Sequence, residues 1–336
     1  MNMKQLVFTA PCVTELLEVD VPPMGEKDVL VKIERSSISA GTERANLVGD
    51  PSVCGRAAPD VTFPRTVGYS SSGVVEAVGN GVTRVKVGDR VACFWTKHAQ
   101  YWVMPEHRVF PLPESVSMGA AALTCISTFP LAAIRKCRTE IGESAMVMGQ
   151  GVLGQIAVQL LRVAGAAPII AVDPVEKKRE QALALGADYA LDPFAPDFAE
   201  TVKALTGKGV NVCIEVTGRG QGLDMALDCM AKFGRVALLG CTRNSDFTID
   251  YYRKVHSPGI TLIGAHTNAR PKQESHGGWW TELDDAEAII RLLAMGRLNF
   301  DCLIEEVHPA ADGVAVFDRL AKSPAFPVVQ LDWTKM

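Results

Sequence analysis

A chain of 336 residues is longer than a single hydrophobic core usually extends, so two domains are the first expectation. With 48% hydrophobic residues, 21% charged residues and a formal net charge of −4, the composition excludes a disordered chain and offers no basic footprint for nucleic acid. Residues 1–7 lack the regions of a signal peptide, and apolar runs elsewhere are broken by Arg, Gln or Asp; a cytoplasmic protein without membrane or nucleic-acid partners is expected.

Up to about residue 120 the chain reads as short β segments at 29–33, 73–78, 90–94 and 101–103. Gly79-Asn80-Gly81 and Val87-Gly88-Asp89 punctuate them. From about Ala120 longer helical patterns alternate with brief apolar strands near 145–148, 168–172, 212–216, 234–239 and 260–264. In 152–164, Val152, Ile156, Leu160 and Val163 fall at helical spacing, and 175–185 sets alanines and leucines behind a charged start. This alternation predicts a parallel sheet with crossover helices. Beyond His266 a polar loop, 267–280, leads to a helix at 284–295 ended by Gly296, then an extended segment at 303–307, a helix near 310–322 and a strand at 328–331. The fold class is α/β. A β-rich domain, 1–126, is interrupted by a doubly wound parallel-sheet domain, 127–266, and completed by 267–336.

The nine cysteines, at 12, 54, 93, 125, 137, 213, 229, 241 and 302, include no pair at CxxC spacing and are expected to be mostly buried thiols. More specific is Gly149-Gln150-Gly151-Val152-Leu153-Gly154, between an apolar strand and a helix. Such a turn brings backbone N–H groups and the positive helix end to a pyrophosphate. Asp173, nineteen positions beyond Gly154, is placed to accept from a ribose and to repel a 2′-phosphate, which favours NAD(H) over NADP(H).

Further pieces occur in order: Ser39-Ala40-Gly41-Thr42-Glu43, Phe63–Gly73, Val87-Gly88-Asp89-Arg90-Val91, Glu215-Val216-Thr217-Gly218-Arg219 and Gly234–Gly240. With the glycine turn, this set resembles the medium-chain dehydrogenase/reductases, the alcohol dehydrogenase superfamily, over essentially the whole chain. The resemblance implies a GroES-like catalytic domain plus a Rossmann domain. Zinc-dependent members have CGTD where this chain has Ala40-Gly41-Thr42-Glu43, and GHE where it has Gly68-Tyr69-Ser70. Two ligand positions thus hold alanine and tyrosine, leaving Cys125 alone near the third, whereas catalytic zinc takes three protein ligands. The structural zinc lobe would lie between Val91 and His98, where Cys93 stands alone. No zinc of either kind is expected. Gly-Thr-Glu, Gly-Tyr-Ser and the segment Gly264–Pro271 resemble a zinc-lacking branch that includes bacteriochlorophyllide hydroxyethyl dehydrogenase and sugar or cyclitol dehydrogenases.

Without the metal, side chains must manage the substrate proton. Tyr69 is a candidate to hydrogen-bond the substrate oxygen, or else fills the space of the metal. Thr42 matches a proton-relaying hydroxyl of the family. Glu43 is a general base or a structural partner of Arg44 or another basic side chain, and His98 a proton carrier or a capping or satisfied packing residue. Trp95, Trp279 and Trp280 are candidates to line the substrate site between domains, with core or dimer packing as their alternative, and Cys125 is a candidate to line the same pocket or else an inert buried thiol. For the cofactor, the resemblance adds Lys178, Thr217, Arg219, Gly240, Cys241 and His266 to Gly149, Gly151, Val152, Leu153, Gly154 and Asp173.

The leading expectation is a zinc-independent, NAD(H)-dependent oxidoreductase of a secondary alcohol, a polyol, sugar or cyclitol among the candidates, and its ketone. A quinone or enone reductase is the alternative, and a nucleotide-binding protein without turnover is the third reading. A small-molecule alcohol or ketone is the expected partner. The segment 260–264 is a candidate pairing edge for a homodimer or homotetramer.

Overall fold

The computed structural model describes residues 1–53, 62–245, 247–323 and 326–336. The chain divides into two compact units, Met1–Ile126 with Ala286–Met336, and Ser127–Asp285. The sequence reading returns the chain to the first domain at 267, whereas 267–285 belongs to the second unit. Cys54 lies outside the described residues; of the other cysteines, Cys93, Cys125, Cys137, Cys213 and Cys229 are buried, and Cys12, Cys241 and Cys302 are exposed.

In the first unit, Asn2–Ala10 pairs antiparallel with Val13–Asp20 and with Arg65–Thr66. Neither of the first two strands is among the segments read from sequence, because Val13–Asp20 is largely exposed and alternates too weakly to signal a buried face. A larger sheet runs in the order Glu306–Pro309, Val329–Asp332, Asp28–Ser37, Ser70–Val78, Arg90–Phe94, Val109–Pro111, and Tyr101–Pro105 also pairs with Asp28–Ser37. The C-terminal strand Val329–Asp332 is antiparallel to Asp28–Ser37, with Leu331 opposite Ser36. The last residues thereby complete a sheet begun three hundred positions earlier. Leu6, Phe8, Val31, Ile33, Val91, Phe317, Leu331 and Trp333 share its core. The helix Ala40–Val48 follows Asp28–Ser37 almost directly, and Glu43, Ala45 and Leu47 are its buried positions.

The second unit holds a sheet that is parallel throughout, in the order Tyr189–Leu191, Ile169–Val172, Ala145–Met148, Val210–Glu215, Met230–Leu238, Thr261–Gly264. Ala145–Met148 and Ile169–Val172 are buried along their whole length, as strands covered on both faces require. Val172, Met148, Glu215, Leu238 and Gly264 are successive register partners, so the carboxyl ends of five strands form one line. In a doubly wound sheet that line is where ligands sit. Among the described residues, no helix is long and apolar enough to cross a membrane.

Candidate functional site

In the first unit the polar cluster grows from the N-terminus of the helix Ala40–Val48. Ser39 is its N-cap residue but makes no side-chain cap. Instead the Glu43 carboxylate reaches back, Oε1 accepting from the Ser39 backbone N–H at 3.1 Å. The Ser39 side chain is left to hydrogen-bond Tyr69, as does the Thr42 side chain. Burial pushes the Tyr69 phenol well above its ordinary range, and the adjacent Glu43 and Cys125 act in the same direction against those hydrogen bonds. Tyr69 therefore stays a neutral phenol, able both to donate and to accept.

Glu43 Oε2 lies 2.9 Å from His98 Nε2, and His98 Nδ1 lies 2.8 Å from Ser36 Oγ, all inside the protein. Ser36 Oγ also accepts from Trp333 Nε1 at 2.9 Å. Since an indole N–H only donates, the Ser36 hydroxyl hydrogen is free to turn toward Nδ1, and its remaining lone pair can instead accept from a protonated ring. Both His98 nitrogens thus have partners inside the protein. The pairing of Glu43 with Arg44 weighed from sequence is not made: Arg44 Nη2 donates to Ala321 O at 3.3 Å.

Trp95 is a non-glycine residue at φ 61°, a costly backbone state. Its N–H donates to Tyr69 O at 2.7 Å, and its ring packs against the Tyr69 ring at 5.7 Å, so the strained residue walls the phenol. Burial lowers the Lys97 ammonium, an effect that the Glu43 charge opposes. The candidates Thr42, Glu43, Tyr69, His98, Trp95 and Cys125 are all in this unit, and the first four are linked through Ser39 or direct contact. Ser36, Lys97 and Trp333 were not read from sequence, and Ser39 only as the first residue of a longer piece. Nothing in their local sequence marks them, because the sheet register alone brings residue 333 to residue 36.

In the second unit the turn after Ala145–Met148 has Gly149 at φ 98°, a conformation that favours glycine. A Cβ on Gly154 would lie 1.9 Å from Gly149 O, whereas one on Gly151 would meet nothing within 4 Å. Close helix-to-strand packing needs the former; the latter leaves the N-terminus of Val152–Ala164 open to a ligand. Val152 and Leu153 are half-buried beside it. Asp173 Oδ2 accepts from Gln150 N at 2.8 Å and Oδ1 from Val175 N at 2.9 Å. Two of about four carboxylate acceptor positions are used, leaving capacity for ribose hydroxyls.

Burial raises the Glu215 carboxyl, against its hydrogen bonds from Thr217 and Gly218. It holds the Thr217 N–H at 2.7 Å and also the Thr217 hydroxyl. Gly240 N donates to Glu215 O at 2.8 Å, tying the next strand's end to the same turn. Arg219 and Cys241 are exposed and Lys178 half-buried. His266 is exposed, its Nδ1 accepting from Asn268 N at 3.2 Å. Trp279 and Trp280 are half-buried and lie against Lys136 and Arg135.

Two family models match the chain: "Zinc-binding dehydrogenase" over residues 152–277 and "Alcohol dehydrogenase GroES-like domain" over residues 25–114. The chain is similar to the L-threonine 3-dehydrogenase of Pyrococcus horikoshii, at 29% identity covering 89% of each chain. It is similar to the D-guloside 3-dehydrogenase of Escherichia coli K12, at 26% identity over 91% of this chain and 92% of the relative. In structure it resembles a short chain alcohol dehydrogenase of Escherichia coli CFT073 solved with NADH, with a TM-score of 0.82 at 18% identity, covering 98% of this chain and 99% of the other.

Proposed function

Because the chain belongs to the medium-chain dehydrogenase/reductase (alcohol dehydrogenase) superfamily and is an oxidoreductase acting on CH–OH groups, we propose that it interconverts a secondary alcohol and its ketone with NAD(H), without zinc. The observation that carries the zinc-independent part is the half-buried Tyr69 phenol, hydrogen-bonded to Ser39 and Thr42 beside the Glu43–His98 pair. Among the described residues no three His, Cys, Asp or Glu side chains gather as a metal site, and both His98 nitrogens already have partners. These donors do not fit an open catalytic zinc site, which takes three protein ligands.

A bound nicotinamide supplies the hydride acceptor. The glycine turn and the helix Val152–Ala164 would hold the pyrophosphate, and Asp173 the adenosine ribose, its negative charge disfavouring a 2′-phosphate. Tyr69, kept neutral by burial, donates to the substrate oxygen, and the Thr42 hydroxyl hands the alcohol proton on. Glu43, paired with His98 and bearing on Tyr69, is the internal group that would receive this proton through the phenol and return it to solvent when the products leave. A polyol, sugar or cyclitol is the substrate class that the D-guloside relative favours. A cytoplasmic homodimer or homotetramer belongs to the same proposal; Thr261–Gly264 is an edge strand with Thr261 and Leu262 exposed.

The test is a panel of secondary alcohols with NAD and with NADP, before and after exhaustive dialysis against a chelator. NADH should accumulate, unaffected by dialysis and faster than NADPH. Stoichiometric zinc whose removal abolishes turnover would refute the zinc-free reading.

A further inference from the structure

The second unit holds a group of wholly or partly buried cations that the dinucleotide seat does not use. Arg135 Nε donates to Asp285 Oδ1 at 2.8 Å, and its guanidinium lies 3.5 Å from the centre of the Trp280 ring. Lys136 Nζ donates to Gly264 O at 3.1 Å and lies 4.8 Å from the centre of the Trp279 ring. Arg270 Nη2 donates to Thr128 O at 3.2 Å. The Arg270 side chain keeps 7% of its exposure, yet its Nε and Nη1 have no hydrogen-bond partner. Nη1 faces Asp285 Oδ2 across 3.9 Å, too far for a hydrogen bond, and that oxygen is also unpartnered.

The charges here do not balance. Among the described residues, Arg135, Lys136 and Arg270 share the buried Asp285 carboxylate, and Asp284, held by Ser275 and Thr281, adds a second negative charge beside Arg135, so three cations meet two carboxylates. Burial, then the charge of Arg270, lowers the Lys136 ammonium to about 8. A water could meet the open N–H groups but would leave the positive excess uncompensated, and buried charge is costly without a counter-charge.

The place of the group narrows the ligand. Gly264 ends the strand Thr261–Gly264, on the register line that also holds Met148, Glu215 and Leu238. Asp173 marks the adenosine end of the dinucleotide, one strand to the other side of Ala145–Met148. Gly264 is three strands away in the opposite direction, about 14 Å at the usual strand spacing, on the nicotinamide side.

We infer that Arg270, supported by Lys136, is the seat of an anionic oxygen group, a carboxylate or a phosphate, carried by the alcohol substrate. This rests on the dehydrogenase reading above. The first experiment is calorimetric titration of the NADH-saturated full chain with inorganic phosphate and, separately, with acetate. Saturable binding of either, weakened at least tenfold in Arg270→Gln and partly restored in Arg270→Lys, supports the seat. Equal binding by the wild type and Arg270→Gln, or none by either chain, overturns it. If Arg270→Gln does not fold, Lys136→Gln carries the same comparison.

A second arm separates the sources of the anion. If Arg270→Gln weakens NADH binding tenfold or more, the group serves a cofactor phosphate, and the substrate assignment is overturned. If NADH binding is unchanged, the variant should raise KM for 3-hydroxybutyrate at least tenfold relative to 2-butanol, and an unchanged ratio overturns the assignment. A chain that oxidises neither alcohol, nor any other tested, but binds phosphate through Arg270 refutes the dehydrogenase reading while supporting the seat.

Discussion

Glu43 and His98 lie 55 positions apart and meet at 2.9 Å with both side chains withdrawn from solvent. Glu43 comes from a helix and His98 from the loop between Arg90–Phe94 and Tyr101–Pro105, so their contact joins two separate stretches of the first unit. The backbone fastens the loop as well: His98 N donates to Val67 O at 2.8 Å, and Leu6 N donates to His98 O at 2.9 Å.

Truncating one partner of such a buried pair strands the other. Glu43→Ala should cost about 3 kcal/mol of stability, in the range for breaking buried pairs, measured as a lowered urea midpoint. Glu43→Gln keeps an acceptor for the Ser39 N–H and a polar group facing His98, and should lose less than half as much. Equal losses would show that the carboxamide gives no more support than a methyl group.

Tyr69→Phe should lower turnover by roughly 10²- to 10⁴-fold, the usual range for a positioned proton donor, while the ring still packs on Trp95. The phenol is raised in the folded state, so the unfolded chain ionises first, near pH 10. The stability it contributes is fully present below that pH and is lost as pH rises further. Chemical denaturation at pH 9 and pH 11 should show a smaller alkaline loss for the variant.

Lys136 titrates in the opposite sense. Its folded pKa, about 8, lies below the ordinary 10.5, so the unfolded chain binds more protons between those values. Its contribution to stability is present above 10.5 and is lost as pH falls toward 8. Lys136→Gln should therefore show a shallower rise in stability from pH 8 to pH 10 than the wild type. Parallel pH curves for the two chains would contradict this.

Gly154 and Gly151 should separate folding from binding. Gly154→Ala drives a methyl group into the Gly149 carbonyl, at a cost of about 1–3 kcal/mol or more, with lost nucleotide binding. Gly151→Ala places its methyl group in open space, where the ligand would lie. Its melting temperature should match the wild type while its NADH dissociation constant rises, as read by fluorescence titration.

Asp173→Ser removes the charge that repels a 2′-phosphate, and the ratio of kcat/KM for NAD over NADP should fall by about tenfold or more, equivalent to ~1.4 kcal/mol. It also removes an acceptor for the buried Gln150 N–H, so a stability loss of about 1 kcal/mol should accompany the switch. An unchanged cofactor ratio would assign Asp173 to holding the glycine turn alone.

By itself the sequence determined five of the six strands of the second unit's sheet, the glycine turn and the position of Asp173, because each is local, whereas the short, partly exposed Tyr189–Leu191 carries no such signal. The resemblance implied that Ala40 and Tyr69 stand where metal-dependent relatives carry ligands. The sequence left open whether Glu43 served Arg44 and whether His98 was only packing. Tertiary structure supplied their partners, Glu43 meeting His98 and His98 also meeting Ser36, because a helix, a loop and a strand far apart in the chain converge there. The same holds for Ser36 with Trp333. Arg270 likewise shows its significance only once burial has removed the water that would otherwise have satisfied it.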